Sequence, residues 1–237
     1  DELEFSLSSN GPFNVGTHEV IMTVTDPSGE QDTATATVTV VDTTAPIINT
    51  NNITVELDAN GAASITAAQI DNNSSDNCAI DTVAIDITSF TCNNLGDNTV
   101  TLTVTDSSGN KATKTATVTV VDKIAPTVNV NNITVELDAN GAASITAAQI
   151  NNGSSDNCGV DSMALDITSF TCADTGDNTV TLTVTDTSGN KTSKTAIVTV
   201  KDNIAPTVIT KPFSIPLANG VANITADDIN DGSFDNC

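Results

Sequence analysis

The sequence predicts an all-β fold, a tandem array of β-sandwich modules of about 80 residues arranged end to end. Three observations lead to this fold class. Long peptides recur at a spacing of 80 residues, apolar side chains alternate with threonine inside each repeat, and turn residues separate the alternating runs. Because the chain has six Phe but neither Trp nor Tyr, its core depends on smaller apolar residues and on Thr, many of which favour strands.

The repeat sets the domain organisation. Residues 51–70 recur without a single change at 131–150, and the Ala-Pro pair of the linker recurs at the same spacing. We number the resulting predicted segments as the first to fourth repeats: 1–42 (the C-terminal half of a repeat), 43–122 and 123–202 (two complete repeats) and 203–237 (the N-terminal half of a repeat). Since the sequence starts and stops inside repeats, we expect it to be a piece of a longer array.

Alternation with a period of two predicts the strands. Val100, Leu102 and Val104 alternate with threonines, and a turn at residues 106–110 joins this run to a second one. Asn60-Gly61 is a hairpin signal between runs at 53–57 and 64–70. About seven short strands in each repeat predict a Greek-key sandwich of the immunoglobulin type.

The net charge of −23 argues against some partners. Such a chain repels phosphate backbones and anionic membrane surfaces, so we expect no nucleic-acid partner. No apolar run approaches the ~18 residues of a membrane span, so we expect no membrane insertion in this fragment. An export signal and an anchor are expected outside it.

Several motifs recur together: Asp76-Asn77-Cys78, Phe90-x-Cys92, a Thr-rich strand from Thr99 to Asp106, Ser108-Gly109-Asn110 and Ala125-Pro126. In combination they resemble the hyalin-repeat (HYR) family, above all the Thr-rich versions in giant adhesins of Bacteroidetes, including gliding-motility adhesins. The resemblance covers essentially the whole chain and implies an immunoglobulin-like fold and adhesion at the cell surface. The first repeat departs from the pattern, because Phe13-Asn14-Val15-Gly16 has no cysteine beside it.

The five cysteines follow the repeat. Each complete repeat holds two, 14 positions apart, and Cys237 matches the first member of such a pair. In an extracellular chain, we expect one disulfide inside each complete repeat, joining Cys78 to Cys92 and Cys158 to Cys172. Reduced cysteines in the core are the alternative. The expectation requires the chain to return on itself, since bridged Cα atoms lie within about 7 Å.

Recurrent acids suggest calcium at each junction between repeats. In an immunoglobulin-like module, the linker and the loops after the second and sixth strands meet at one end. Calcium prefers carboxylate and amide oxygens. The candidate ligands are Asp42, Asp76, Asp106 and Asn110, then Asp122, Asp156, Asp186 and Asn190, and finally Asp202 and Asp235. The alternative is that these Asp residues only cap turns.

The sequence also contains other candidate sites. Thr33, Thr82 and Ser162 lie in Asp-Ser/Thr-apolar tripeptides that look like the O-glycosylation signal of Bacteroidetes. No nucleophile, base and metal position recur together in a way that predicts catalysis, so we expect no enzyme activity.

The sequence therefore favours a structural or adhesive stalk of a long extracellular cell-surface adhesin or filament. We expect an outer-membrane anchor in a Gram-negative bacterium. The expected partners are neighbouring repeats of the same chain, and surface polysaccharide or substratum reached through regions outside this sequence. The alternatives are a spacer array of a large secreted multidomain enzyme, and a carbohydrate-binding module. The second alternative lacks the exposed Trp and Tyr on which sugars usually stack.

Overall fold

The computed structural model of this protein describes residues 2–216 and 218–237. It confirms the all-β fold class, with short helical turns between the strands. The chain forms two compact units: Asp1–Val55 with Ala63–Val120, and Glu56–Ala62 with Val121–Cys237. No helix among the described residues has the length and apolar character to cross a membrane.

The first unit contains most strand residues of the first two repeats. An antiparallel sheet has the order β1-β2-β3, a second sheet has the order β4-β9-β8-β6, and β5 pairs with β7. The strands are β1 (Glu4–Leu7), β2 (Gly16–Thr25), β3 (Gln31–Val40), β4 (Ile53–Glu56), β5 (Ala62–Ser64), β6 (Ile80–Ile85), β7 (Ser89–Thr91), β8 (Gly96–Asp106) and β9 (Lys111–Val121). Helix α1 (Ala67–Ile70) and a 3-10 helix (Cys92–Asn94) complete it.

In the second unit, the third repeat has the same arrangement as the second repeat. Its larger sheet has the order β10-β15-β14-β12, with β10 parallel to β15 and the other pairs antiparallel, while β11 and β13 form a small antiparallel pair. The elements are β10 (Ile133–Glu136), β11 (Ala142–Ser144), α2 (Ala147–Ile150), β12 (Val160–Leu165), β13 (Ser169–Thr171), a 3-10 helix (Cys172–Asp174), β14 (Gly176–Asp186), β15 (Lys191–Lys201) and α3 (Ala226–Ile229).

The predicted alternation along β14 places its apolar face in the core. Val180, Leu182 and Val184 are fully buried, whereas the intervening threonines are only partly covered. Phe170 and Ile150 pack into the same cluster from outside the larger sheet. These residues form an apolar core between the larger sheet and the segment from β11 to β13.

Residues 64–70 do not form the returning strand that the sequence predicts. Strand β5 ends at Ser64, and Ala67–Ile70 is a single helical turn that buries Ile70 completely. The backbone N–H of Thr66 donates to Oε1 of Gln69 at 2.8 Å, which is the capping contact that starts a helix. Each complete repeat therefore has six strands, one α-helical turn and one 3-10 turn rather than about seven strands.

The Asn-Gly turn likewise joins two sheets instead of closing a hairpin. In the second unit, β10 lies beside β15, whereas β11 lies beside β13. The turn between them is closed by the Asp138 N–H, which donates to the Ala142 carbonyl at 2.8 Å, and by the Gly141 N–H, which donates to the Asp138 carbonyl at 2.9 Å. This tight turn stands at one end of the module, where it meets the following repeat.

Candidate functional site

Three acids from separate elements converge in the second unit. Asp122 follows β9 in the linker, Asp156 lies in the loop between α2 and β12, and Asp186 ends β14. One carboxylate oxygen of each lies within 4.8 Å of the others. Asp122 is 6% exposed and Asp186 is 2% exposed. We call these three residues the linker acid cluster.

Asp186 is held by the turn that follows it. Its Oδ1 accepts hydrogen bonds from the backbone N–H groups of Ser188 and Asn190, at 2.9 and 2.8 Å. Its Oδ2 accepts one from Nδ2 of Asn190 at 2.8 Å. The same Nδ2 lies 3.2 Å from the Asp122 carbonyl, to which it also donates. Turn capping by Asp186 is thus present, and Asn190 connects that turn to the linker.

The other two acids each retain a buried oxygen without a hydrogen bond. Oδ1 of Asp122 accepts from the Ile124 N–H at 3.0 Å, and Oδ2 of Asp156 accepts from the Cys158 N–H at 2.9 Å. Among the residues that the structure describes, Oδ2 of Asp122 and Oδ1 of Asp156 are buried and accept no hydrogen bond. Unpaired carboxylate oxygens beside other carboxylates are costly, and a cation at this position would offset that cost.

The corresponding position in the first unit has a different donor set. There the grouped atoms belong to Asp42, Asp76 and Cys78. Asp106 is 1% exposed and caps its own turn through the N–H groups of Ser108 and Asn110. A hydrogen bond from the Thr44 N–H lowers the pKa of Asp42. Here the third group within 4.8 Å is the thiol of Cys78 rather than the carboxylate of Asp106, and calcium prefers oxygen to sulfur.

The thiol of Cys78 is free and exposed. Partial desolvation, and next the Asp42 carboxylate, raise the pKa of this thiol. A thiol with a raised pKa stays protonated at neutral pH, which weakens it as a metal ligand and as a nucleophile.

The last two predicted ligands are close to the end of the sequence. Oδ1 of Asp202 accepts from the Ile204 N–H at 3.0 Å and from Nδ2 of Asn236 at 3.1 Å. Asp235 accepts from the N–H of Asn236 at 3.0 Å. Within the described part of the chain, Asp202 and Asp235 belong to no group of three possible metal ligands.

The predicted disulfide pairing within each repeat is wrong. Cys172 is bonded to Cys237 of the fourth repeat, with the two Cα atoms 5.4 Å apart. Cys78 is a free thiol, so it does not pair with Cys92. Cys92 and Cys158 are each in a disulfide. Because Cys172 is bonded to Cys237, Cys158 does not pair with it.

The length of β14 explains why two cysteines of one repeat do not meet. Cys158 lies just before β12, whose Val160 is opposite Asp186 at the end of β14. Cys172 lies four residues before Gly176, where β14 begins. The 11 residues of β14 span roughly 37 Å, whereas bridged Cα atoms lie within about 7 Å. The 14-residue segment crosses the module once and does not return.

Contacts that the sequence analysis did not anticipate surround the disulfide. Nδ2 of Asn236 donates to the carbonyl of Asp138 at 3.3 Å as well as to Asp202. Asn157 repeats this pattern, with Nδ2 lying 3.1 Å from the carbonyl of Asp58 and 3.2 Å from Oδ1 of Asp122. These contacts could have been anticipated from two motifs that recur in the sequence, Asp-Asn-Cys and Asp-Ala-Asn-Gly.

The candidate glycosylation residues lie on strands. Thr33 is in β3, Thr82 in β6 and Ser162 in β12, and all three are exposed. Their hydroxyl groups are therefore accessible in the folded chain.

Comparisons with known proteins give two distant relatives. No family model matches the chain. It is 29% identical over 232 residues to an uncharacterized 81.3 kDa protein of Acholeplasma phage L2, covering 92% of this chain and 30% of the relative. It is 32% identical over 216 residues to hyalin of Strongylocentrotus purpuratus, covering 83% of this chain and 17% of hyalin. The chain thus spans less than a third of the length of either relative. Together with the disulfides, the similarity to hyalin fits an extracellular, immunoglobulin-like repeat domain.

Solved structures give weaker likenesses. A protocadherin gammaB7 structure of EC3-6 matches 84% of this chain and 62% of its own length, at 15% identity and a TM-score of 0.36. A structure of Sidekick-1 immunoglobulin domains 1–4 matches 77% of this chain and 58% of its own length, at 11% identity and a TM-score of 0.38. Structural similarity at this level does not support a conclusion about function.

Proposed function

We propose that this chain is a stalk segment of a long extracellular cell-surface adhesin or filament, with a mechanical rather than a catalytic role. The observation that carries the proposal is the junction between the third and fourth repeats. There the Cys172–Cys237 disulfide and two hydrogen bonds of Asn236 fix one repeat to the next. A flexible spacer between independent domains does not need a fixed junction, whereas an array that transmits force does need one.

The remaining parts of this proposal rest on the resemblance to hyalin-repeat adhesins. Anchoring would be to the outer membrane of a Gram-negative bacterium, as in gliding-motility adhesins. Contact with surface polysaccharide or substratum would be made by regions outside this sequence. The exposed hydroxyl groups of Thr33, Thr82 and Ser162 would carry O-linked sugars, which intact mass measurement of the protein from its native source would detect as added hexose-sized increments.

Calcium at the linker acid cluster is part of the same proposal. Three carboxylates with oxygens within 4.8 Å, two of them with a buried oxygen that accepts no hydrogen bond, support a divalent cation. Asp122 and Asp156 would supply those free oxygens, and Asp186 would add a third carboxylate. The ion would hold the linker to the loop before β12 and to the end of β14, and so would stiffen the start of the third repeat.

Small-angle X-ray scattering of the 237-residue chain tests the stalk function. We expect an extended particle whose maximum dimension changes little between calcium and a chelator, because the disulfides persist in both. Reduction with a chelator present should broaden the distance distribution. A compact or broadly distributed particle under oxidising conditions with calcium would contradict a stalk. Strong binding of the chain to a glycan array would instead favour a carbohydrate-binding module.

A further inference from the structure

A tight turn of the second repeat is attached to the start of the third repeat. This turn, Asp58–Ala62, which we call the Asp58 turn, belongs to the same compact unit as Val121–Cys237. Leu57, the residue before the turn, is 3% exposed and donates its N–H to the Val121 carbonyl at 2.9 Å. The turn is thus anchored to the linker one residue before the linker acid cluster begins.

Asn157 connects the Asp58 turn to the linker acid cluster. Its Nδ2 donates to the Asp58 carbonyl at 3.1 Å and to Oδ1 of Asp122 at 3.2 Å. An amide NH2 group carries two hydrogens, so one side chain can make both bonds at once. Asn157 also directly follows Asp156, another member of the cluster. One side chain therefore joins the turn to two of the three acids.

The bond from Asn157 helps to fix the orientation of the Asp122 carboxylate. Oδ1 of Asp122 accepts from Asn157 and from the Ile124 N–H, whereas Oδ2 is buried and, within the described part of the chain, accepts no hydrogen bond. The carboxylate is thus oriented before an ion binds, which reduces the entropy lost on binding. Replacement of a residue that orients a metal ligand typically weakens metal binding by about 10- to 100-fold.

Repulsion between the acids acts on the same contacts. Without a cation, the carboxylates of Asp122, Asp156 and Asp186 repel one another, since their oxygens lie within 4.8 Å. This repulsion pushes apart the linker and the loop that carries Asn157. A divalent cation would remove the repulsion and keep Asp122 within reach of Asn157. Seating of the Asp58 turn is therefore favoured when the ion is bound.

We propose that ion binding at the linker acid cluster and seating of the Asp58 turn are coupled, with Asn157 as the positioning residue that connects them. The inference rests on the calcium site of the proposed function and adds a regulatory role to that site. Such coupling is reciprocal, so the factor by which the seated turn strengthens calcium binding is also the factor by which calcium favours the seated turn. Calcium concentration then controls how firmly the turn is held.

The next repeat provides a matched junction that lacks the acid cluster. Nδ2 of Asn236 donates to the Asp138 carbonyl and to Oδ1 of Asp202, and the Leu137 N–H donates to the Lys201 carbonyl at 2.8 Å. Among the residues with a described structure, Asp202 belongs to no group of three possible metal ligands. The same hydrogen bonds are thus present there without the candidate ion site.

Amide hydrogen exchange of the 237-residue chain, followed by NMR with millimolar calcium and with a chelator, tests the coupling without any variant. We expect calcium to slow exchange of the Leu57 amide by about tenfold, because the ion favours the seated turn. The Leu137 amide at the matched junction should exchange at the same rate in both conditions. An equal calcium effect at the two amides, or no effect at Leu57, would overturn the inference.

Calorimetry of two variants separates the coupling from the calcium site itself. Asn157→Ala should bind calcium about tenfold more weakly than the parent and should lose most of the calcium effect on Leu57 exchange. Asn236→Ala, which loses the same two bonds at the matched junction, should bind calcium as the parent does. Equal affinities of the parent and Asn157→Ala would leave the calcium site standing and refute the coupling. Absence of binding heat in the parent would refute both.

Discussion

The Sγ atom of Cys172 lies 2.5 Å from the position that a Cβ atom on Gly141 would occupy. The carbonyl oxygen of Asn236 lies 2.8 Å from the same position, and the φ angle of Gly141 is +72°. Glycine is thus required here twice, once by the backbone conformation and once by the disulfide that packs against it. The Asn140-Gly141 pair, which resembles a hairpin signal, forms the surface against which the Cys172–Cys237 disulfide packs.

Gly141→Ala should weaken the Cys172–Cys237 disulfide. The added methyl group has to displace Sγ or the Asn236 carbonyl, which strains the bonded form and leaves the reduced form free to relax. We expect the bond to be reduced at lower dithiothreitol concentrations, measured by quenched alkylation and mass spectrometry. Gly153→Ala is the matched control, because Gly153 has a φ of +70° and open space around its Cβ position. Equal sensitivity of both variants would contradict the assigned role of Gly141.

Pro12→Cys should create a bond between the first and second repeats. Pro12 precedes Gly16 by four residues, as Cys172 precedes Gly176, so it corresponds in sequence to the cysteine that bonds to Cys237. Cys78 shares a cleft with Phe13 and Asn14, the residues that follow Pro12. A bond between the introduced thiol and the thiol of Cys78 should raise the free energy of unfolding by about 2 to 4 kcal/mol.

Unreduced peptide mapping and thermal unfolding measure this outcome for Pro12→Cys. Pro12→Ser serves as the control, since it changes the backbone in the same way and adds no thiol. Alkylation of both thiols in the folded variant would show that the first repeat does not present the bonding surface.

Asp156→Asn should impair calcium binding at the linker acid cluster. The parent chain is expected to bind with a dissociation constant of about 0.1 to 1 mM, the range of extracellular modules, and the variant at least about tenfold more weakly. Calorimetry measures the affinity, and the melting temperature with and without chelator gives a second measure. Asp161→Asn removes the same charge from an exposed position on β12 and should bind as the parent does. Absence of binding heat at millimolar calcium in the parent would refute the site.

Acid should weaken the contact between Asp166 and the sheet. The Thr181 N–H donates to Oδ1 of Asp166 at 2.7 Å, and this hydrogen bond lowers the pKa of the carboxyl group. Because the folded pKa lies below the unfolded value of about 3.9, the stabilisation is complete above that value and is lost as pH falls through the folded pKa. Asp166→Asn should therefore lower the melting temperature at neutral pH, and the difference from the parent should shrink below about pH 4.

Thermal unfolding by circular dichroism across this pH range measures the effect of Asp166→Asn. Asp161→Asn again makes the same charge change without a backbone hydrogen bond to lose. A difference between Asp166→Asn and the parent that stays constant as pH falls would mean that the carboxylate charge is not involved.

The strands could be predicted from sequence where side chains alternate over many residues. A buried strand face is formed by Val180, Leu182 and Val184 in any topology, because alternate side chains of a strand point to the same face. The convergence of Asp122, Asp156 and Asp186 could also be anticipated, since it requires only that three loops meet at one end of a sandwich. The helical turn at Ala67–Ile70 could not, because four residues with a capping Gln69 leave no periodic pattern.

The disulfide pairing shows a different limit. A spacing of 14 residues between Cys158 and Cys172 says nothing about their distance until the course of the intervening chain is known. A segment that crosses the module once separates them by the length of β14, and a cysteine of the next repeat then lies closer than the one in the same repeat. The repeat in the sequence cannot distinguish pairing within a repeat from pairing to the next repeat, because both pairings recur every 80 residues.

Bonding to a later repeat also imposes an order on biogenesis. The partner of Cys172 does not exist until 65 further residues have been synthesised. Those residues then have to fold far enough to form the bridge between Thr207 and Phe234 that leads into Asn236. Closure of the Cys172–Cys237 bond therefore lags synthesis of Cys172 by most of one repeat.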